Sequence, residues 1–484
     1  MTGWHCATAL GVAMSLCGCA VGPDFQRPSP PQVSRITAQP LAEQAQGQVF
    51  IRGGQVPPQW WKTFRNADLD ALVASALAAN PDLASARAAL RVADANAAAE
   101  RASFFPGLSA GFGATRQKTS GALSPVLSGP AQTFNLYTAQ LSISYAPDLF
   151  GGTRRSVESA EASARAQSFA LKAAQLALSA NVVLATIQYA SLRDQASAQQ
   201  DILADAIRLR SLFQDQVARG AASQAALAAQ DSLVAQSEAG KAALNKQLSQ
   251  QRDLLAALGG KLPAQFAPPV MGLEDFSLPR DLPISLPADL VRQRPDVRIA
   301  EENLHAANAQ VGVAIAAMLP GINLSAGIGS AASAIGALFG PGNGLWNLGA
   351  GVLQPLFDGG ALLAHKHAAD AALYKAKADY RSAVVTAFQN TADALEAIHF
   401  DADILSAVAR QEASAKTALQ RARRQREVGD TGMPTVLLAQ QAYQQAEIAL
   451  LQARASRLAD TVGLFTALGG GWWRDEVNSG SGKS

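Results

Sequence analysis

The sequence predicts a mainly α-helical chain with a small antiparallel β part, built as two copies of a helix–strand–strand–helix unit. Three observations carry that prediction. First, four landmarks recur in the same order at an offset of roughly 210 residues, the mark of an internal duplication. Pro81-Asp82 answers Pro295-Asp296, and Pro106-Gly107 answers Pro320-Gly321. Pro147-Asp148-Leu149-Phe150-Gly151-Gly152 answers Pro355-Leu356-Phe357-Asp358-Gly359-Gly360, and Ala257-Leu258-Gly259-Gly260 answers Ala467-Leu468-Gly469-Gly470. Second, two stretches, 152–219 and 361–428, run without an internal proline or glycine, as long helices do. Third, the segments between Pro-Gly and Gly-Gly switch to an alternating pattern, the period of a strand.

The N-terminus comes first. Residues 1–18 form a short apolar run ending in small residues, as a lipoprotein signal peptide does, although the run carries no Lys or Arg. Leu16-Cys17-Gly18-Cys19 resembles a bacterial lipobox, which makes Cys19 the expected lipidation site. An ordinary secretory signal with an incidental Cys19 is the alternative. All three cysteines of the chain lie in the first nineteen residues, so no disulfide or thiolate metal site is expected downstream. Residues 19–60 are rich in Pro, Gln and Gly and predict a lipid-anchored extended arm. Trp60, Trp61 and Phe64 then lead into a helix and suit packing against neighbouring helices better than docking.

The first copy spans 61–260, with a β-hairpin at 108–147, a long helix at 152–219 and a return helix at 224–258. A proline-rich linker, 261–287, precedes the second copy at 288–471, with a hairpin at 322–354, a long helix at 361–428 and a return helix at 434–468. Residues 472–484 are an expected disordered tail. In each copy Pro81-Asp82 or Pro295-Asp296 starts a helix by pre-set φ and by negative charge at the positive dipole end. Each opening helix of about 24 residues plus a return helix of about 35 nearly equals the long helix of about 68, so the two short helices can stack end to end beside the long one. Leu171, Leu178, Val182, Ala185, Tyr189 and Leu192 in one long helix, and Val384, Phe388, Thr391, Leu395 and Ile398 in the other, keep coiled-coil spacing.

The strands carry the functional signal. Tyr137, Ala139, Leu141, Ile143 and Tyr145 alternate with Thr138, Gln140, Ser142 and Ser144, and Trp346, Leu348, Ala350 and Val352 alternate with Asn347, Gly349 and Gly351. Segments of about ten residues with one apolar and one small polar face fit a membrane barrel wall. Tyr137, Leu141, Ile143, Tyr145, Trp346, Leu348 and Val352 are the expected lipid-facing residues; a soluble sheet with one buried face is the alternative. Four strands cannot close a barrel, since the smallest have about eight; three chains would supply twelve.

Other classes fare worse. A net charge of +2 gives no electrostatic case for nucleic acid. His365 and His367, two apart on a helix, do not share a face and make a poor metal pair. His305 and His399 are single, and Glu301 and Glu302 sit on the shoulders of a helix. No phosphate loop or dinucleotide fingerprint is present. An enzyme is not expected, and neither is a cofactor apart from the covalent lipid on Cys19. A soluble coiled-coil adaptor would share the long helices but not the strand pattern.

Cys19-Ala20-Val21-Gly22-Pro23-Asp24-Phe25, Trp61 through Leu83, Asp148-Leu149-Phe150-Gly151-Gly152, and Leu290 through Pro320 together resemble the TolC family of outer-membrane channels, in its NodT-like lipoprotein branch. The resemblance spans about residues 19–472. It implies a homotrimer with a twelve-stranded β-barrel in outer-membrane lipid, continued by a periplasmic α-helical barrel. It also implies a periplasmic adaptor and an inner-membrane RND-type pump as partners, and passive export of drugs or other small toxic compounds. A duct for type I protein secretion, or a metal-ion efflux channel, remains the alternative. By the same resemblance the turns Arg219-Gly220-Ala221-Ala222-Ser223 and Val428-Gly429-Asp430-Thr431-Gly432 form the periplasmic tip and meet the adaptor. Relatives often narrow the closed tip with acidic side chains; here Arg421, Arg423, Arg424 and Arg426 stand there instead. Asp215, Arg423 and Arg424 are therefore the candidate gate, with Asp215 as the expected partner of an arginine.

Overall fold

A computed structural model describes residues 20–473, apart from 34, 40–43, 46 and 119–132. The expected signal peptide, Cys19 and most of the expected tail lie outside the described residues. By its internal packing the chain divides into two compact units. One holds residues 1–27, 91–166 and 300–380, and the other holds 28–90, 167–299 and 381–484.

The first unit contains a four-stranded antiparallel sheet. Its strands are β3 (Gly107–Lys118), β4 (Thr133–Tyr145), β6 (Gly321–Ala332) and β7 (Gly344–Leu353), in the order β3-β4-β6-β7. Each copy supplies one hairpin, and the copies join where β4 pairs with β6.

Two strands elsewhere, β1 (Gln44–Ala45) and β2 (Gln48–Arg52), belong to the N-terminal arm. β2 pairs in parallel with β5 (Asp281–Ile284), a strand within the proline-rich linker. Neither was visible as a strand in the sequence, because β5 is four residues long and its pairing partner lies over 200 residues away. The arm is tied into the packed interior there: Gln48 and Phe50 are buried.

The helices are α1 (Ala67–Ala79), α2 (Pro81–Ala102), α3 (Gly152–Ala218), α4 (Gln224–Leu258), α5 (Pro287–Gln293), α6 (Pro295–Ala316), α7 (Ala361–Glu427) and α8 (Met433–Ala467). The two long helices have 67 residues each and the two return helices 35 each, so the copies match in length as well as order. α3 includes an 18-residue window of mean hydropathy 1.5. Leu178, Val182, Ala185, Tyr189 and Leu192 there are buried along the expected seam, and Val183, Ile187 and Ala190 are buried on a second flank. Packing on two flanks explains the hydropathy.

Helix starts are fixed by local chemistry. The Asp148 carboxylate accepts the backbone N–H groups of Thr153 and Arg154 at 3.1 and 2.9 Å. Asp358 accepts those of Gly360 and Leu362 at 2.9 and 2.7 Å. Each satisfies orphan donors at the start of a long helix. The N–H of Leu362 above all holds the Asp358 carboxyl below the usual range.

The residue before each helix-starting proline closes the other end of its copy. Asn80 Nδ2 donates to the carbonyl of Leu258, the last residue of α4, at 3.0 Å. Arg294 Nη1 donates to the carbonyl of Ala467, the last residue of α8, at 2.7 Å. One polar side chain thus joins the start of each opening helix to the end of its return helix, which gives the end-to-end stacking a physical link. Gly260, at φ +67°, backs onto the Ala79 carbonyl, where a Cβ would come within 2.5 Å. Around these joints Trp60, Phe64, Phe465, Leu282, Leu290 and Val462 make the core of the second unit. Trp60 lies 5.6 Å from Phe465 between ring centroids, so the aromatic cluster packs as expected.

Candidate functional site

Directly opposed residues of antiparallel strands point to the same face, so the register defines the two faces of the sheet. One row crosses it as Leu108, Ile143, Ala326 and Leu348; the next as Ala110, Leu141, Ile328 and Trp346. Phe112, Ala139, Leu324, Ala350, Ile322 and Val352 lie on the same side. Exposure there is high: 79% for Trp346, 80% for Leu348 and 70% for Val352, with Leu141 and Ile143 also exposed and Tyr137 and Tyr145 half-buried. The other face carries Gln140, Ser142, Ser144, Asn323, Ser325 and Asn347 among glycines. An apolar face of this extent, left uncovered on strands of 10 to 13 residues, suits lipid and not water. The strands β3 and β7 are the two edges of the sheet.

Residues 20–27 are clamped to this unit. The N–H of Val21 donates to the Phe150 carbonyl at 2.9 Å, and Asn308 Nδ2 to the Pro23 carbonyl at 2.7 Å. Arg155, buried, pairs with Asp24 at 2.6 Å and Glu158 at 2.8 Å. His305 stands 2.8 Å from Glu158, and the Phe25 ring stacks on it at 4.1 Å. Burial raises the Glu158 pKa, but hydrogen bonds from Arg155 and His305 outweigh it and the carboxyl is held low. Glu301 and Glu302 are not on exposed shoulders. Both are buried, with Arg27 on Glu301 and Arg165 on Glu302 at 2.9 Å. The basic partners come from the arm and from α3, far off in sequence, so the pairing was illegible beforehand. Gly22, at φ +92°, passes so close to α6 that a Cβ would lie 2.5 Å from Gly312 Cα.

The two helical turns are built alike. The N–H of Ala221 reaches the Gln216 carbonyl and that of Gly220 the Val217 carbonyl. Asp430 to Gln425 and Gly429 to Arg426 repeat the pattern. These are Schellman closures, with Gly220 at φ +71° and Gly429 at φ +78° in the left-handed position that favours glycine. Ser223 Oγ then caps α4 by accepting from the N–H of Ala226 at 3.2 Å, and Pro434 sits in the first turn of α8 behind Gly432. Arg219, Ala221, Val428 and Asp430 are exposed, whereas Ala222 and Thr431 are half-buried.

Phe213, Leu419, Ala422, Met433 and Val436 form a small core behind the turns. Arg423 does pair with an acid of α3, at 2.9 Å, but the acid is Asp205 and not Asp215. Asp215 follows the inward Phe213 by two residues, about 200° around the helix, and is exposed. Asp205 also accepts from Gln440 Nε2 at 3.3 Å, so it ties α3 to both α7 and α8. Arg424 is exposed. A groove of about 510 Å³ opens nearby among α3, α4 and α8, lined by Gln199, Gln230, Gln236, Gln440, Gln441 and Gln444 with smaller apolar side chains.

A buried polar cluster went unnoticed in the sequence. Gln48 donates to the Pro279 carbonyl at 3.0 Å and to Thr461 Oγ1 at 3.3 Å, and accepts from Arg457 Nε at 3.3 Å. Beside it, burial together with Asp460 pushes the Asp401 carboxyl up to about 7, against the pull of Arg457. An unfolded Asp titrates near pH 3.9. Between that pH and about 7 the folded chain holds a proton that the unfolded chain has released, so stability falls as pH rises across this window. Thermal unfolding at pH 5 and pH 8 should therefore show a lower midpoint at pH 8. Asp401→Asn should shrink the difference; an unchanged difference would assign it elsewhere.

The chain matches the model of a family described as outer membrane efflux protein over residues 72–261 and 286–470. It is 33% identical over 426 residues to the pyoverdine export outer membrane protein OpmQ of Pseudomonas aeruginosa, covering 86% of this chain and 88% of that one. It is 32% identical over 490 residues to the toluene efflux pump outer membrane protein TtgF of Pseudomonas putida, covering 98% of each. Among solved structures, the outer-membrane channel OprN superposes with a TM-score of 0.86 at 27% identity, covering 94% of this chain and all of that one. The chain belongs to the outer membrane efflux protein family and has the fold of its outer-membrane channels.

Proposed function

We propose that three copies close their sheets into a twelve-stranded barrel in the outer membrane, and that their helices continue it as a periplasmic conduit. Its cargo would be small organic compounds, delivered by an inner-membrane RND-type pump through a periplasmic adaptor. The observation that carries this reading is the sheet: an exposed apolar face between two open edges. Lipid offers no partner to edge N–H and C=O groups, so such a sheet must close with other copies. On α7, Leu363, Tyr374 and Val385 recur every eleven residues and are exposed, an apolar stripe suited to a neighbouring helix. Acylation of Cys19 fits an arm whose next residues are clamped beside the sheet. The conduit itself is passive; the pump supplies the free energy.

The test is conductance in planar bilayers, together with restored resistance in a strain lacking its own channel. Stable channels and resistance are expected; a folded protein giving neither would contradict the reading. At the tip, we assign Arg423 and Asp205 to a latch. An exposed ion pair contributes only about 0.2–1 kcal/mol, so Arg423→Ala, lost from three copies at once, should raise open probability by roughly 3-fold to about 100-fold. Unchanged conductance and resistance in Arg423→Ala would leave the pair no gating role.

A further inference from the structure

The outward rim of the sheet carries an apolar groove and a pair of cations that a barrel wall does not need. We propose that together they form a site for a phosphate-bearing glycolipid of the outer leaflet. An acyl chain lies in the groove beneath Phe339, and the phosphates meet Arg116 and Lys118. This rests on the membrane reading above and adds a ligand to it.

Which end faces outward follows from connectivity. β3 follows α2, β6 follows α6, and β4 and β7 lead into α3 and α7, so all four strands meet the helices at one end. The β6–β7 loop, residues 333–343, stands at the other end. It folds back onto the sheet. Ser330 lies on the apolar face, in the row of Phe112 and Ala139, and its Oγ is within hydrogen-bond reach of the Leu338 carbonyl and of the Asn343 carbonyl at 2.9 Å. Asn343 Nδ2 donates to the Ala337 carbonyl at 2.6 Å and closes the loop on itself. Leu338 is buried by this fold, while Ile335 and Phe339 stay 63% and 82% exposed. Between Phe339 and the strands a groove of about 540 Å³ opens, lined by Ala110, Phe112, Ala139, Leu141 and Ile328. It is continuous with the apolar face that lipid covers, so hydrocarbon is what fills it.

Charge selects the headgroup. β3 sets Leu108, Ala110, Phe112 and Ala114 on the apolar face, and the same alternation puts Arg116 and Lys118 there, opposite Asn135 and Thr133. Both cations are exposed. On the lipid side of a barrel wall Arg and Lys are tolerated best at the interface. Arg116 is four residues beyond Phe112, about 14 Å along the strand, or about 10 Å in height for a tilt of about 40°. A headgroup at that height stands directly above a chain held in the groove. Lys118 is two residues further out on the same face, so the pair suits a lipid with more than one phosphate better than a zwitterionic one. Arg116 adds a planar fork, which matches phosphate geometry. The phosphorylated glycolipid of the outer leaflet has that chemistry: several acyl chains under a headgroup with two phosphates.

Native mass spectrometry of the full-length trimer in mild detergent tests the site, with lipid A, phosphatidylglycerol or phosphatidylethanolamine added in equal amounts. Lipid A should be retained several-fold better than either phospholipid. Arg116→Gln with Lys118→Gln should remove that preference, and Phe339→Ala should lower lipid A retention several-fold with both cations in place. Lys241→Gln with Lys246→Gln makes the same change of charge on α4 and should leave the preference intact. Equal retention of the three lipids by the parent, or a preference that survives loss of Arg116 and Lys118, would overturn the site and leave the barrel standing. A preference lost equally in the α4 variant would assign it to net charge and also overturn the site. Unchanged retention in Phe339→Ala would remove the chain from the groove. A parent protein that forms no trimer with any of the lipids would overturn the membrane reading beneath the proposal.

Discussion

Leu348→Arg should abolish most membrane-inserted channel, whereas Asn347→Arg, one residue earlier, should insert at near the parent level. Leu348 is central in β7, 80% exposed, and lies in the apolar row with Leu108, Ile143 and Ala326. A lipid-facing arginine near the middle of a barrel wall costs about 2–4 kcal/mol per subunit, and three subunits carry it together. Asn347 faces the other way, onto Gly327, where its Oδ1 occupies the space that a Cβ would need. An arginine there meets water and should change conductance, not assembly. The measurement is the amount of protein in outer-membrane fractions together with single-channel conductance. Equal insertion of the two variants would remove the assignment of the faces.

Arg294→Ala should destabilise the helical unit by roughly 3 kcal/mol, the upper end for losing a charged hydrogen bond. Arg294 is buried and donates to Ala467 while forming a two-point contact with Asp296 at 2.7 and 3.0 Å. Its removal leaves the last carbonyl of α8 with only the longer bond from Thr391 Oγ1 at 3.4 Å, at the point where two helices abut. Arg294→Lys keeps charge but lacks the planar fork, so it should recover only part of the loss. Asn80→Ala, at the equivalent joint of the first copy, removes two neutral bonds, Nδ2 to the Leu258 carbonyl and the Oδ1 cap on the Leu83 N–H, and should cost about 2 kcal/mol. Urea unfolding of the purified protein checks the order. A loss in Arg294→Ala no larger than in Asn80→Ala would show that the joint does not depend on the guanidinium.

The features legible in the sequence were those written in local pattern. Alternation in Tyr137–Tyr145 and Trp346–Val352 separated the two faces correctly because a strand's period needs no knowledge of its partners. The Pro-Asp and Gly-Gly landmarks marked helix starts and ends because those residues act through their own backbone or their nearest neighbours. What escaped was contact between distant segments. The pairing of Arg423 with Asp205 depends on how three helices rotate about Phe213. The burial of Glu301 and Glu302 depends on the arm returning with Arg27. The raised Asp401 depends on its burial and on α8 presenting Asp460 beside it. Even the role of Arg294 was only half visible: its place before a proline was plain, but its acceptor lies over 170 residues further on.

The central claim is that several copies must close the sheet, and the most direct measurement is the mass of the mature protein in mild detergent by light scattering. A trimer is the predicted result, since three four-stranded sheets make a closed wall and leave no edge in lipid. A stable folded monomer would leave β3 and β7 unpaired in the membrane, and would contradict the account.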